Sequence, residues 1–293
     1  MTASTTMVGH PADRLMQAVE RCTSPACVGI DPVFDRLPGS VTGKSDTALE
    51  AVASFTREVL DAVAANVPIV KFQSACFERY GPGGTVVLEE AVGYARELGL
   101  QVILDVKRGD IGLTASHYAA AAARTGSDWV TANPYLGLDP VQHSLDAGLG
   151  AFALVRTSNP AGDAIQGQRL EDGRSVAESI ADLVADAGKD SIGESGYSSL
   201  GAVVGATQGA EHVALRARMP QQVFLVPGFG AQGAGLDDVL GCFNSDGRGA
   251  IVTSSRSIIY AWDDDSDPGW QQCVADAAAA FADELGRAVG LRT

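Results

Sequence analysis

Short apolar segments alternate along the chain with longer segments in which apolar residues recur every three to four positions. The short segments have the length and composition of buried β-strands, and the longer ones have the period of amphipathic helices. The predicted strands cover residues 27–31, 69–72, 102–107, 129–133, 152–157, 202–206, 223–226 and 250–254. The predicted helices cover residues 47–65, 85–98, 115–124, 176–187, 210–217 and 271–289.

Eight strands separated by helices predict an α/β protein with the (β/α)8 TIM barrel fold, in which residues 1–293 form a single domain. A doubly wound sheet is the alternative, but eight consecutive units favour closure of the sheet. Residues 1–10 show no such pattern and are predicted to be a flexible tail. The gap over residues 159–200 is longer than a usual connection. Its polar, glycine-rich first part predicts either a lid over a site or an ordinary surface insertion.

Polar side chains fall at the carboxyl ends of the predicted strands or just beyond them. In TIM barrel enzymes this end of the barrel carries the active site, so the pattern predicts that these side chains share one site. They are Asp31, Lys71, Asp105, Lys107, Asn133, Ser158, Gln232 and Arg256.

The segment after the third predicted strand carries the highest density of charge. Because side chains alternate along a strand, Asp105 and Lys107 should point the same way, with Asp110 just beyond in the loop. Two carboxylates around one ammonium cost several kcal/mol to desolvate unless they pair or take part in chemistry. The carboxylates favour the protonated form of Lys107, which suits a proton donor better than a Schiff-base nucleophile. A purely structural ion-pair network is the alternative.

Two loops near the end of the chain suggest a phosphate site. Residues 227–233 follow the seventh strand and are rich in glycine, and residues 254–257 follow the eighth strand. Gly230 would allow close backbone approach to a phosphate, and Arg256 could form a bidentate pair with it. Alternatively, the glycines only make turns. A dinucleotide fingerprint is excluded, because this G-x-G-x-x-G pattern follows the seventh of eight strands rather than opening a dinucleotide-binding sheet.

The composition of the chain argues against several classes of protein. The 293 residues include 21 basic and 36 acidic side chains, a net charge of −15 that argues against a nucleic-acid binder. No apolar stretch or signal-like segment predicts membrane insertion or secretion, so we expect a cytoplasmic protein. The five cysteines and four histidines lack metal-ligand spacing, so neither disulfides nor a metal site is predicted.

Residues 105–115 match throughout a signature of the form Asp-x-Lys-Arg-Gly-Asp-Ile-Gly-x-Thr-Ala. In this the chain resembles the bacterial subgroup of the orotidine 5′-phosphate decarboxylase family. The resemblance implies a homodimeric barrel that converts orotidine 5′-phosphate to uridine 5′-phosphate (UMP), the last step of pyrimidine nucleotide synthesis, without a metal or organic cofactor. The similarity extends to residues 29–32, 70–72, 227–232 and 256–258.

The resemblance also implies roles for individual residues. Lys107 would protonate C6 of the pyrimidine as carbon dioxide leaves, and Asp105 would lie near the substrate carboxylate and hold Lys107. Asp110 and Thr114 would reach across the dimer interface to the ribose hydroxyls in the other subunit's site. The segment after Ser158 is longer than in the compact form of the family.

The remaining implied contacts bind the parts of the nucleotide away from the reacting carbon. By resemblance, Asp31 and Lys71 would bind the ribose, and Lys71 would complete the alternating chain of charges. Ser158 would read the pyrimidine amide, while Gln232 and Arg256 would bind the phosphate.

Two other classes of function remain open at this point. One is a related barrel decarboxylase or aldolase that acts on a sugar phosphate and stabilises an enediolate with magnesium, which EDTA would inhibit. The other is a catalytically silent nucleotide-binding protein on the same scaffold. The set of Asp105, Lys107 and Asp110 argues against this silent binding protein, because a binding module gains little from crowding like charges around one site. A scaffold or interaction protein is disfavoured further by the polar residues at the rim of the barrel.

Overall fold

Eight parallel strands close into a barrel in the computed structural model, which describes residues 9–206, 209–230, 235–262 and 269–292. Each strand pairs with the next in sequence, and β8 pairs with β1, so the TIM barrel prediction is confirmed and the doubly wound alternative is wrong. The strands are β1 Ala26–Ile30, β2 Ile69–Gln73, β3 Gln101–Arg108, β4 Trp129–Ala132, β5 Gly150–Arg156, β6 Ser198–Val204, β7 Gln222–Pro227 and β8 Ala250–Ser254.

Helices connect the strands around the outside of the barrel, and each predicted helix is present. They are α1 Pro11–Cys22, α2 Gly39–Thr42, α3 Ala48–Val63, α4 Ala75–Glu78, α5 Gly81–Glu97, α6 Gly112–Arg124, α7 Asp139–Asp146, α8 Asp163–Gln166, α9 Val176–Ala187, α10 Gly209–Arg218, α11 Leu236–Leu240, α12 Arg256–Ile259 and α13 Trp270–Ala288. α3 and α9 each begin with a complete capping box, Thr47 with Glu50 and Ser175 with Glu178.

Helix α1 covers the amino-terminal end of the barrel. Its apolar residues recur at helical spacing and pack on the lowest layer of inward side chains, which includes Ile103 and Trp129. His10 precedes this helix, and its Nε2 atom lies 3.0 Å from the Ser191 carbonyl oxygen and 2.8 Å from Ser199 Oγ. His10 is therefore anchored rather than part of a flexible tail, and residues 1–8 lie outside the described residues.

Inward positions change from apolar to polar toward the carboxyl end of the barrel. On β3, Ile103 belongs to the lower apolar layer, and Asp105, two residues further on, lines a cavity above it. On β2, Ile69 and Lys71 repeat the same order. Since alternate residues of a strand share a face, the inward charged side chains of β2 and β3 lie above a layer of apolar side chains. This layer, which includes Ile69, Ile103 and Trp129, forms the apolar floor of the cavity.

Two glycines make room for the aromatic pair in the apolar floor. The rings of Trp129 and Phe152 stack with their centroids 4.5 Å apart. A Cβ atom on Gly150 would lie 2.3 Å from the Trp129 ring, and one on Gly201 would lie 2.7 Å from the Phe152 ring. Strands β5 and β6 therefore need glycine at the positions where they pass the Trp129 and Phe152 rings.

We expect Gly150→Ala to lower the free energy of unfolding by about 1–3 kcal/mol, because the added methyl overpacks the floor. Gly93→Ala is the matched control, since Gly93 lies within α5 and a Cβ there would meet no atom within 4 Å. Alanine is the better helix former, so this control should be as stable as the wild type or more stable. Urea unfolding measures both; equal midpoints for Gly150→Ala and the wild type would show that the floor is not tightly packed.

Candidate active site

A cavity of about 500 Å³ opens at the carboxyl end of the barrel. Six of the residues predicted from the sequence line it, and they come from β1, β2, β3, β5 and β8 or from the loops that follow these strands. They are Asp31, Lys71, Asp105, Lys107, Ser158 and Arg256. The barrel therefore brings together side chains that are separated by up to 225 positions in the sequence.

Asp105 forms the centre of the charged cluster. Its Oδ2 atom accepts a hydrogen bond of 2.8 Å from Lys71 Nζ, and its Oδ1 atom accepts one of 2.6 Å from Lys107 Nζ. Thr131 Oγ1 donates to the same Oδ1 atom at 2.7 Å. The prediction that Asp105 and Lys107 share a side is thus confirmed. The expected order of charges is wrong within one chain, however, because one carboxylate lies between two ammonium groups.

Burial and charge act in opposite directions on this cluster. Burial alone would raise the pKa of Asp105, but the Lys71 and Lys107 ammonium groups outweigh it and hold this pKa well below its usual range. Burial alone would lower the pKa of Lys71, yet Asp105 and then Asp31 outweigh it and raise that pKa. Asp105 is 5% exposed and Lys71 is 6% exposed. The pair is therefore ionised although it is nearly removed from solvent.

Lys107 has an unusual backbone conformation. Its φ angle is +47°, a left-handed value that side chains other than glycine rarely adopt. Its backbone N–H donates to Thr131 Oγ1 at 2.9 Å, and the register of β3 against β4 shifts between Leu104 and Arg108. The Lys107 side chain is 45% exposed, so its ammonium faces the open part of the cavity. Such strain is found where a side chain must be aimed at a ligand.

Asp31 lies directly after β1 and lines the same cavity. Its Oδ1 atom is buried and has no hydrogen-bond partner among the described residues. A buried carboxylate oxygen without a partner is costly, so this atom is suited to accept hydrogen bonds from a polyhydroxylated ligand.

The loops after β7 and β8 form the part of the cavity wall next to β1. Arg256, Ser255 and Gly228 line it. Gly230 does not line it, contrary to the prediction; its φ angle is +72°, and an added Cβ would lie 3.4 Å from Ser257 Oγ. Gly230 shapes the loop rather than the surface of the cavity. Gln232 lies outside the described residues.

Asp110 and Thr114 are not in the cavity of their own chain. Asp110 accepts a hydrogen bond of 2.9 Å from the Ile111 backbone N–H, on the outer side of the barrel rim. Thr114 is exposed in the first turn of α6. Within one chain, Asp110 therefore does not pair with Lys107, because the loop after β3 carries it away from the strand.

The long segment after β5 forms part of the cavity wall. Gln166 at the end of α8 lines the cavity, and its Oε1 atom accepts a hydrogen bond of 2.8 Å from the Thr157 backbone N–H. Arg156 is 3% exposed and donates to Asp163 at 2.5 Å and to Glu211 at 2.8 Å. The segment is therefore more than a surface insertion. It is also shorter than predicted, since β6 begins at Ser198.

Several cavity residues were missed in the sequence analysis. The most informative is Thr131, which holds both Asp105 and Lys107 in place; counting in twos from the inward Trp129 would have found it. The others are Gln73, Leu154, Thr157, Asn159, Gly162, Gln166, Val203, Leu225 and Thr253, whereas Pro227, Gly228, Phe229 and Ser255 fall in the two loops predicted to bind phosphate.

The described residues were predicted to lack a reactive cysteine, a metal site and a membrane-spanning segment, and the structure bears on each of these points. All five cysteines are free, and burial raises the pKa of the cavity neighbour Cys76 to about 11, so its thiolate is scarce. Among the described residues, no cluster of three or more histidine, cysteine or acidic side chains has the arrangement of a metal site. Within the same residues, no helix has the length and apolar character that spanning a membrane requires.

Comparison with known proteins places this geometry in context. A family model described as orotidine 5′-phosphate decarboxylase / HUMPS family matches residues 27–267. The orotidine 5′-phosphate decarboxylase of Rhodopirellula baltica is 40% identical over 297 residues, which covers 94% of this chain and 98% of the relative. That of Deinococcus radiodurans is 40% identical and covers 90% and 93%. The structure of Leishmania donovani OMP decarboxylase superposes with a TM-score of 0.78 at 27% identity, covering 96% and 99%.

Proposed function

The chain belongs to the orotidine 5′-phosphate decarboxylase / HUMPS family and is a decarboxylase of orotidine 5′-phosphate; we propose that Lys107 supplies the proton that replaces carbon dioxide. The observation that carries the proposal is the bonding of Asp105 to both Lys71 and Lys107 inside the cavity. The motif over residues 105–115 supports assignment to the bacterial subgroup.

In the proposed reaction the substrate carboxylate binds beside Asp105. The bond between C6 and the carboxylate carbon breaks, its electron pair stays on C6, and Lys107 transfers a proton from Nζ to that carbon. The neutral amine is then reprotonated from solvent. The Lys107 ammonium stabilises the charge that develops at C6, since electrostatic stabilisation is strongest in a site that excludes water.

Repulsion between the substrate carboxylate and the Asp105 carboxylate contributes only part of the rate acceleration. At a separation of about 3 Å and an effective dielectric of about 20, it amounts to roughly 5 kcal/mol. The largest enzymatic accelerations require more than about 20 kcal/mol. Binding energy from the ribose and phosphate must therefore supply much of the remainder by ordering the charged cluster around the pyrimidine.

The rest of the cavity fits the remaining parts of the nucleotide. We assign ribose binding to Asp31, whose buried Oδ1 atom is unpartnered among the described residues, together with Lys71. Ser158 lies on the wall formed by the segment after β5 and would bind the pyrimidine amide. Arg256, which lines the cavity after β8, would bind the phosphate. The family resemblance adds Gln232, outside the described residues, as a second phosphate contact.

The functional assembly that we propose is a homodimer with shared active sites. Around Asp110 and Thr114, large apolar side chains are exposed, namely Ile111 at 58%, Leu113 at 74% and Tyr135 at 76%. An exposed apolar patch of this kind is typical of an interaction surface. Pairing of this surface with a second copy would let Asp110 and Thr114 contact the ribose in the other subunit.

Shared sites predict complementation between two inactive variants. Asp110→Ala and Lys71→Ala should each be nearly inactive alone, because each lacks one essential group in every site. After subunit exchange at equal concentrations, about one quarter of all sites should be complete, since half the dimers are mixed and each contains one intact site. Activity assays after verified exchange measure the recovery; its absence would show that Asp110 does not act in the partner's site.

The assigned activity is tested by following the ultraviolet absorbance of orotidine 5′-phosphate in the presence of EDTA. We expect rapid loss of the substrate and formation of UMP. Inhibition by EDTA would favour a magnesium-dependent sugar-phosphate enzyme. Binding of UMP without loss of the substrate would indicate a silent nucleotide-binding protein.

A further inference from the structure

The hydroxyl of Tyr260 joins two backbone groups that flank Pro32, directly after the Asp31 Cα atom. It donates a hydrogen bond of 3.1 Å to the Asp31 carbonyl oxygen and accepts one of 2.8 Å from the Val33 backbone N–H. Asp31 follows the last residue of β1, so strand pairing no longer fixes its backbone. The two hydrogen bonds hold the chain where the strand has ended.

The ring of Tyr260 is itself held by its surroundings. It stacks on Phe55 with centroids 5.8 Å apart and an interplanar angle of 10°, and it meets the edge of Trp262 at 5.6 Å. The guanidinium carbon of Arg36 lies 4.0 Å from the centre of the ring. Burial raises the pKa of Tyr260 to about 12, so the hydroxyl keeps the proton that it donates to Asp31.

Tyr260 also follows α12, the short helix that begins with Arg256. The segment after β8 is also attached to β1 itself, because Ser255 Oγ donates a hydrogen bond of 3.1 Å to the Gly29 carbonyl oxygen. The segment that carries Arg256 is therefore attached at two points to the end of β1 and the loop after it, which carries Asp31. Both of these charged side chains line the cavity.

We propose that Tyr260 is a positioning residue, which aims the Asp31 carboxylate at the sugar hydroxyls of the nucleotide and fixes it relative to Arg256. The inference rests on the proposed ribose-binding role of Asp31. Because Asp31 Oδ1 has no hydrogen-bond partner among the described residues, the backbone that Tyr260 holds contributes to the placement of this oxygen. Tyr260 does not line the cavity, so it acts through Asp31 and not by contact with the ligand.

The test compares two ligands in the Tyr260→Phe variant, which keeps the ring packing and removes the hydroxyl. UMP is compared with 2′,3′-dideoxyuridine 5′-phosphate, which lacks the ribose hydroxyls. We expect the Kd for UMP to rise about tenfold, which corresponds to the loss of one hydrogen bond between the ribose and Asp31. The Kd of the dideoxy analogue should change less than about twofold, because this analogue cannot form that bond. KM for orotidine 5′-phosphate should rise by a similar factor.

Tyr197→Phe is the matched control. Tyr197 is buried, whereas Tyr260 is partly buried, and the Tyr197 hydroxyl accepts a hydrogen bond of 3.0 Å from Asn244 Nδ2. It precedes β6 at the amino-terminal end of the barrel, away from the cavity. This variant should bind both ligands as the wild type does. In an Asp31→Ala background, Tyr260→Phe should no longer change the Kd for UMP.

Equal weakening of both ligands by Tyr260→Phe, or no weakening of either, would overturn the positioning role. So would a full effect of Tyr260→Phe in the Asp31→Ala background. Failure of the proposed function is distinguishable from these outcomes, because it would appear first in the wild-type protein, as absence of UMP binding or of turnover.

Discussion

Replacement of Lys107 by alanine is expected to lower kcat by about 10⁴-fold or more, because one side chain supplies both the proton and the stabilising charge. UMP should still bind with a Kd within about tenfold of the wild type, since phosphate and ribose contacts remain. The Lys107 ammonium lies 2.6 Å from Asp105 and lines the cavity, so its removal leaves a gap at the place where we expect C6 of the substrate.

The ultraviolet assay of orotidine 5′-phosphate measures the loss, and titration with UMP measures binding by the same preparation. Lys189→Ala is a suitable control, because Lys189 also pairs with an aspartate, Asp186 at 2.7 Å, on the exposed surface. That variant should keep wild-type turnover. Turnover by Lys107→Ala within tenfold of the wild type would remove Lys107 from the chemistry.

Replacement of Asp105 by asparagine is expected to destabilise the fold by about 3–5 kcal/mol and to abolish turnover, because it removes the carboxylate that is hydrogen-bonded to the buried Lys71 ammonium. Lys71 is 6% exposed, and Asp105 accepts a hydrogen bond of 2.8 Å from it. Adding Lys71→Met should recover part of the stability without restoring turnover, since the buried charge is gone but the site remains incomplete. Urea unfolding of the single and double variants measures both effects.

The same substitution should also change the pH dependence of stability. The pKa of Asp105 is depressed in the folded state, so its contribution is fully present above the unfolded carboxyl pKa of about 3.9 and is lost as the pH falls below it. The wild type should therefore lose more unfolding free energy than Asp105→Asn on acidification through this range. Asp186→Asn, which breaks an exposed pair, should have little effect on stability. Parallel pH profiles for the wild type and Asp105→Asn would contradict the ionised buried pair.

Most of the barrel could be predicted from local patterns. All eight strands were found because each is a short apolar run bounded by turns, and the inward alternation of β3 correctly paired Asp105 with Lys107. Membership of Lys71 in the same cluster followed from the topology, since neighbouring parallel strands end at one rim.

The order of charges within one chain could not be predicted from the local pattern alone, because it depends on where the loop after β3 turns. The prediction placed Asp110 beside Lys107, whereas Lys71 and Lys107 in fact share Asp105. The backbone of Lys107 adopts a left-handed φ that no propensity predicts for lysine. The contribution of α8 to the cavity wall could not be predicted from the local sequence either, because it depends on long-range ion pairs such as that of Arg156 with Glu211.

The ammonium group at position 107 can be removed and restored alone, which tests directly whether it supplies the proton and the stabilising charge at C6. Lys107→Cys should be as inactive as Lys107→Ala, and alkylation of the new thiol with 2-bromoethylamine should place an ammonium at nearly the original distance. Lys107→Ala treated in the same way controls for the five native cysteines. We predict that alkylation of Lys107→Cys raises kcat by at least about 100-fold, as expected for a restored general acid. An alkylated variant that binds UMP but remains as slow as its cysteine precursor would contradict the account.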